Sequence, residues 1–360
     1  MEAASYKLLL HGIDTLQCAY YLMAGSARGI DFRKLAVEKE QLRQAKTREP
    51  KAVNLGGTEF LLQPYGSSSG YPFVLTNEDF KVEVGEFNTP SFFVTFRSQA
   101  LWRASARDLQ RKLLAWATGL GFTIQKPERV SRVDFSFDYH LSAVDFDQDH
   151  FVTWSSKDSQ HREDRVIQTF TFGKGDVMLR VYDKVAEIKQ ESQKAWFYPL
   201  WGQTEQVWRI EWQVRKAMLR SFGVEAMADL EAQQGRILRF LVEEHDSLRR
   251  PTDDSNRSRW PLHPLWEDLR ARVRELDTLS SGAIDGRDIA LEERMTRMVI
   301  SVYGYLKRMA AVECAQTGQT KISLEEVLRS LGVRLDRLHD PLSWQLAVRK
   351  RLKAIELGEW

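Results

Sequence analysis

The chain has 360 residues, 43% hydrophobic and 28% charged, with 52 Lys and Arg against 50 Asp and Glu for a formal charge of +2. That length suits about two domains and ample core, and no apolar run approaches the roughly 18 residues of a membrane span, so a cytoplasmic protein with no membrane partner is expected. Only two cysteines, Cys18 and Cys314, are present, which argues against a disulfide scaffold or a cysteine zinc site.

In chain order, Tyr6–Gly12 reads as an opening strand and Thr15–Leu22 as a second. Propensity predicts a helix over Phe32–Lys46, rich in Lys, Glu, Gln, Ala and Leu. Strand-like runs follow at 58–62, 71–75, 81–84 and 91–96, with Gly66–Gly70 as a turn. Leu109, Leu113, Leu114 and Trp116 recur at helical spacing over Ala106–Leu120, and Gly121 suits the end of that helix. A second round opens at Arg132–His140 and passes through an unassigned stretch, Phe146–Asp164, to strands at 167–172, 177–184 and 207–215. Gly173–Asp176 links two of these as a hairpin turn. The strand-helix-strand-strand order of each round predicts a duplicated unit, although no residue-level repeat is visible. From Val224 strand signal disappears, and helices are expected at 224–249, 265–278, 288–317, 323–331 and 341–357, with 251–264 as a linker. The last two, around Gly332, suit a helix-turn-helix. The expected fold class is α+β, with antiparallel-rich sheets followed by an all-helical C-terminal region. The division is 1–222, in halves 1–128 and 129–222, then 223–360.

Three strands carry chemistry on one side. In Arg132–His140, Val133, Phe135 and Phe137 form an apolar face, leaving Arg132, Asp134, Ser136, Asp138 and His140 opposite. Val177, Leu179 and Val181 leave Met178, Arg180, Tyr182 and Lys184; Trp208, Ile210, Trp212 and Val214 leave Arg209, Glu211, Gln213 and Arg215. Taken singly, each is an ordinary half-solvated strand. As neighbours they would bring two aspartates, a glutamate and a tyrosine to one surface flanked by cations, a set able to bind a divalent metal and attack a phosphodiester. Asp is a poor strand former, and such local inconsistency is expected at functional sites.

These motifs, Arg132-Val133-Asp134-Phe135-Ser136-Phe137-Asp138, Arg180-Val181-Tyr182-Asp183-Lys184 and Trp208–Arg215, resemble in order and spacing those of the rolling-circle replication initiation factors, which include plasmid initiators and related relaxases of integrative elements. The resemblance covers roughly residues 58–222. It implies that Tyr182 nicks one DNA strand, with Lys184 near the scissile phosphate and the metal ligands at Asp134 or Asp138 and at Glu211. The ion would be Mg²⁺ or Mn²⁺. Arg132, Arg180, Arg209 and Arg215 would contact DNA, both the single-stranded nick site and a duplex or hairpin origin. A host helicase and a second copy of the chain complete the expected partners. His140 lies on the right face for a further ligand. Tyr139 falls on the apolar face and Tyr198 in a loop beside Pro199, so neither is placed to replace Tyr182.

Two other readings use the same residues. A metal-dependent nuclease or polymerase-like palm would employ the three carboxylates with water or a 3′-hydroxyl as nucleophile, leaving Tyr182 incidental. A non-catalytic DNA-binding protein would keep the fold alone. Basic clusters after residue 215, ending in Arg349-Lys350-Arg351-Leu352-Lys353, suit phosphate contacts in the C-terminal region, although acidic residues are interleaved.

Overall fold

The computed structural model describes residues 6–25, 29–45, 48–163, 166–276 and 287–357. Lys46, Asp164 and Thr278, at the ends of expected segments, lie outside the described residues.

The centre of the fold is an antiparallel pair of very long strands, β1 (Tyr6–Ala24) and β7 (Phe122–Leu141). β1 is one strand where the sequence suggests two. Its register against β7 slips between Ile13 and Thr15 and again beyond Gln17, and such bulges break the period-two pattern without ending the strand. On one side of this pair lie β2 (Lys51–Leu55), β3 (Thr58–Leu62), β4 (Phe73–Thr76), β5 (Phe80–Val84) and β6 (Phe92–Phe96). On the other lie β9 (Asp158–Glu163), β10 (Val166–Phe172), β11 (Val177–Asp183) and β12 (Val207–Arg215). The order is β2-β3-β4-β5-β6-β1-β7-β12-β11-β10-β9, with every pairing antiparallel; β8 (Phe151–Thr153) pairs separately with β13 (Asp246–Leu248).

The α+β class holds, and the two rounds are visible as halves. Each is a long strand, then a meander whose last strand returns beside it, then helices. In the first half these are α2 (Ser98–Arg103) and α3 (Ala106–Gly119), after α1 (Phe32–Gln44) near its start; in the second they are α6 (Lys216–Ser221) and α7 (Met227–Phe240). The first half keeps the expected strand-helix-strand-strand order at its start, β1-α1-β2-β3, whereas the second runs from β7 into its meander without an α-helix.

One sheet face packs under α3, α7 and α8 (Pro264–Glu275). Val133, Phe135, Ile210, Trp212 and Leu179 share a core with Leu113, Leu230, Ile237, Trp266 and Leu269. This packing corrects the domain boundary expected after residue 222, because the first core runs on to Val273. Nor is 251–264 a free linker: Arg250 N–H bonds Pro261 O at 2.9 Å, and His263 N–H bonds Leu248 O at 3.0 Å.

The opposite face of the second half is covered by residues 184–201, containing α4 (Lys184–Glu187) and α5 (Phe197–Trp201). Ile188, Trp196, Phe197 and Trp201 form a second cluster there with Trp102 of α2. The remaining helices are α9 (Arg287–Thr317), α10 (Leu324–Asp336) and α11 (Pro341–Glu356). α10 runs through Gly332, so the turn expected there falls instead at 337–340, between α10 and α11; a glycine inside a helix costs only about 1 kcal/mol relative to alanine. Among the described residues no helix is long and apolar enough to cross a membrane.

Candidate active site

Cross-strand pairing brings the three polar strand faces together. Arg180 of β11 pairs with Glu211 of β12, and Glu211 with Ser136 of β7; Tyr182 pairs with Arg209, and Arg209 with Asp138. Asp134, Asp138, Tyr182 and Glu211 therefore share one side of the sheet. The helical face takes Val181, Ile210 and Phe137, which lie opposite one another in the same register.

Within this surface the groups separate into two clusters. The first is open to a cleft of about 320 Å³, lined by Arg132, Asp134, Arg180, Tyr182, Lys184 and Glu211 among others. The Tyr182 hydroxyl donates to Glu211 Oε2 at 2.9 Å, and the Arg180 guanidinium binds the other carboxylate oxygen. Arg132 forks onto Asp134, with Nε 2.7 Å from Oδ1. Burial pushes the Asp134 carboxyl up to about 6, with the nearby Glu211 charge adding to the rise against the pull of Arg132. Burial, and then Glu211, hold the Tyr182 phenol well above its ordinary value. Tyr182 is thus on the expected face but is not exposed as a polar-face residue would be: residues 184–201 roof it over, and it retains 9% of its surface.

The second cluster is closed apart from Asp14 and Lys194, which reach the wall of the same cleft. Arg209, fully buried, forks onto Asp138 at 2.6 and 2.8 Å and reaches Asp14 of β1 at 2.8 Å. Trp201 Nε1–H adds a 2.9 Å bond to Asp138. Asp14 also accepts from Ser98 and Trp102, at 2.9 and 3.2 Å, and meets Lys194 at 3.5 Å. Burial alone would raise Asp14, but Lys194, Arg209 and Lys184 hold it well below the usual carboxylate range.

These contacts correct two expectations. Asp138 does not line the cleft with Asp134 and Glu211: it is buried against Arg209 and Trp201 and is not placed to share a metal with them. Arg209 cannot touch DNA, because none of its surface is exposed. His140 lies beside Gln203 Nε2, at 3.0 Å, and does not line the cleft. Arg132 and Arg180 stand at the rim with side chains 25% and 32% exposed. Arg215, exposed at the end of β12, lies outside the cleft lining.

Lys184 is not the last residue of a strand but the first of α4, which Asp183 caps by accepting from Ala186 N–H at 2.9 Å. Its ammonium bonds Glu187 at 2.6 Å, and burial, helped by Arg209 and Lys194, lowers it to about 8. Tyr139 is on the apolar face as expected, bonded to Asp268 at 2.9 Å. Tyr198 sits in α5 rather than in a loop.

Asp14 and Lys194 are the site residues the sequence reading missed. Asp14 falls in the gap between the strands expected at 6–12 and 15–22, because the bulge between Ile13 and Thr15 breaks the alternation there. Lys194 follows Gln193, whose φ of 54° turns the chain back toward the sheet, and no periodicity marks such a residue.

Among the described residues no three His, Cys, Asp or Glu side chains are arranged as a metal centre. Asp134 and Glu211 both open on the cleft, but each carboxylate is held on both oxygens, Asp134 by Arg132 and Glu211 by Arg180 and Tyr182, and a hard divalent cation would have to displace some of these bonds. The two carboxylates are the right donors for such an ion, their mutual repulsion is part of what raises Asp134, and the cleft wall holds six carboxylates against four Lys and Arg. Mg²⁺ commonly takes only one or two carboxylates, with water and phosphate completing its shell.

No protein-family model matches the chain, and no curated protein matches it. Among solved structures it is similar to the rolling circle replication initiator protein from Geobacillus stearothermophilus, with 18% identity and a TM-score of 0.44 over 77% of this chain and 100% of that one.

Proposed function

We propose that this protein nicks and rejoins one strand of DNA, with Tyr182 as nucleophile and a 5′-phosphotyrosyl link as intermediate. The observation that carries the reading is the Tyr182 hydroxyl in a polar cleft, 2.9 Å from a carboxylate that can take its proton and near Arg180 and Lys184. The order of the three motifs, with their resemblance to the initiation factors, selects DNA as the phosphodiester.

In the resting site the phenol is protonated, so the nucleophile must form during attack. As the Tyr182 oxygen bonds to phosphorus, its proton passes to Glu211 Oε2 and the bond from phosphorus to the 3′-oxygen breaks. Lys184, lowered to about 8, is of suitable strength to donate a proton to that departing oxygen, leaving a free 3′-hydroxyl. Arg132 and Arg180 would bind the strand's non-bridging oxygens by their guanidinium forks. Asp134 and Glu211 would hold a Mg²⁺ or Mn²⁺ ion, which when bound supplies positive charge that polarises the phosphate. One phosphodiester is exchanged for another, so a 3′-hydroxyl can reverse the reaction.

The test is incubation with a panel of labelled single-stranded DNAs and Mn²⁺, followed by a denaturing gel. The wild type should yield a covalent adduct. Tyr182→Phe should fold, bind DNA and yield none. An adduct from the Phe variant would move the nucleophile elsewhere; cleavage without an adduct in either protein would favour the water-using nuclease.

A further inference from the structure

With six carboxylates against four Lys and Arg, the cleft around Tyr182 offers a polyanion no excess of positive charge unless a divalent ion is bound, so it is a poor source of affinity for DNA on its own. A second cavity, of about 450 Å³, has the opposite balance. Lys39, Arg43 and Arg48 line it against a single carboxylate, Glu40, with Gln44 and the turn Pro64-Tyr65-Gly66 completing the wall. It lies between α1 and the chain leaving β3. In the sheet order β3 is six places from β12, or about 29 Å at the usual strand spacing.

The cavity's groups are disposed for a phosphate ligand. Glu40 is occupied within its own helix by Gln44, at 3.0 Å, and by Arg43, at 3.5 Å. The Lys39 ammonium is anchored to Pro72 O at 2.6 Å, which fixes its charge in the wall. Arg48 has a φ of 47°, in the left-handed region where residues other than glycine are uncommon and where strain tends to mark function. Tyr65 is 58% exposed, and a tyrosine hydroxyl is a regular donor to phosphate oxygen. Next to Arg48, Glu49 is bonded by Lys350 of α11, so the basic run of that helix adjoins the cavity.

We infer that this cavity grips the phosphodiester backbone of the duplex flanking the nick site, and that Arg43 and Arg48 are its principal phosphate contacts. The choice of DNA rests on the nicking reading; the anion site itself rests on the charges and shape just described. Binding far from the reacting bond gives register and affinity without adding charge to the cleft.

The test compares wild type with the double variant Arg43→Gln, Arg48→Gln, and with a control of equal charge change at two exposed cations outside both cavities, Lys7→Gln with Lys321→Gln. Anisotropy with a labelled duplex carrying a single-stranded arm is measured across a salt series, and adduct formation on a short single strand is measured separately. The double variant should bind the duplex about tenfold or more weakly, with its log–log salt slope shallower by about 2, while adduct formation is unchanged. The control should lose far less affinity. Equal losses in variant and control, or an unaltered duplex affinity in the double variant, would overturn the assignment. So would calorimetric binding of inorganic phosphate that disappears in the variant while duplex binding does not, since the site would then serve a free anion. If the wild type forms no adduct but the variant still loses duplex binding, the nicking reading fails and the duplex site stands.

Discussion

β12 of the second half is buried at eight of its nine residues, with Arg209, Glu211 and Gln213 of the face turned away from α3, α7 and α8 among them, whereas the matching strand of the first half, β6, alternates buried and half-buried side chains. Both strands neighbour the central pair, and both carry polar groups on that face. The difference is the cover. Residues 184–201 roof the second half, so Arg209, Asp138 and Asp14 interact away from water, and, against the effect of burial, the two carboxylates hold the Arg209 guanidinium well above its ordinary value. In the first half the corresponding face has a 3.3 Å bond from Gln17 to Thr95 and a 2.8 Å ion pair between Lys81 and Glu83, with Lys81 42% exposed. A polar strand face becomes chemically competent when another element desolvates it, and remains a wetted surface otherwise.

The comparison is broken most directly by removing one cation from each half. Arg209→Met leaves Asp14 and Asp138 without their main partner and should cost about 3–5 kcal/mol in urea unfolding, because a buried carboxylate is then uncompensated. Lys81→Met should cost less than about 1 kcal/mol, as expected for a half-exposed pair. Similar losses at the two positions would mean that cover is not what separates the halves.

A smaller effect is expected inside the open cluster. Glu211→Gln keeps the shape and removes the proton acceptor, so single-turnover adduct formation should slow by about 10²-fold or more while the unfolding midpoint changes little. An unchanged rate would remove Glu211 from the proton path.

The pH dependence sharpens the same contrast. Asp134 titrates near 6 in the folded protein against an ordinary 3.8. Mn²⁺ affinity, followed by electron paramagnetic resonance, should therefore fall by up to about tenfold per unit as pH drops below that value, as protons compete for the carboxylate. Asp134→Asn should be weaker throughout and nearly flat. Because the folded state binds this proton more readily than the unfolded chain, the contribution of Asp134 to stability decreases as pH rises from 3.8 to about 6. A stability contribution rising over that window would contradict the burial of Asp134.

Local pattern made part of this legible. Alternation in β7, β11 and β12 identified the face of Asp134, Tyr182 and Glu211, and the spacing of Leu109 and Leu113 placed α3 to within a residue. What stayed hidden depends on partners distant in sequence. Nothing near Asp138 announces that Arg209 will neutralise it, or that Trp201 will close over it. Likewise the expected helix over 224–249 stops being α-helical at Phe240, widens into a π-turn over Leu241–His245 and gives way to Asp246–Leu248, which is drawn into pairing with β8. Exposure is the property least readable from period-two patterning, which gives the side of a sheet but not what covers it.

The pairing of β1 also shapes how the chain can be made. Leu16 must wait for Phe96, and Gly12 for Ser136, before the central ladder closes on both edges. At roughly 5–20 residues per second of synthesis, that interval is on the order of ten seconds. During it a strand bearing Leu16, Cys18, Tyr20 and Leu22, all core residues of the finished molecule, has no permanent neighbour on either side. A nascent chain with two bare strand edges is a substrate for holding chaperones and a hazard at high expression. The architecture that supports the buried clusters thus makes the newborn protein dependent on the later-synthesised half.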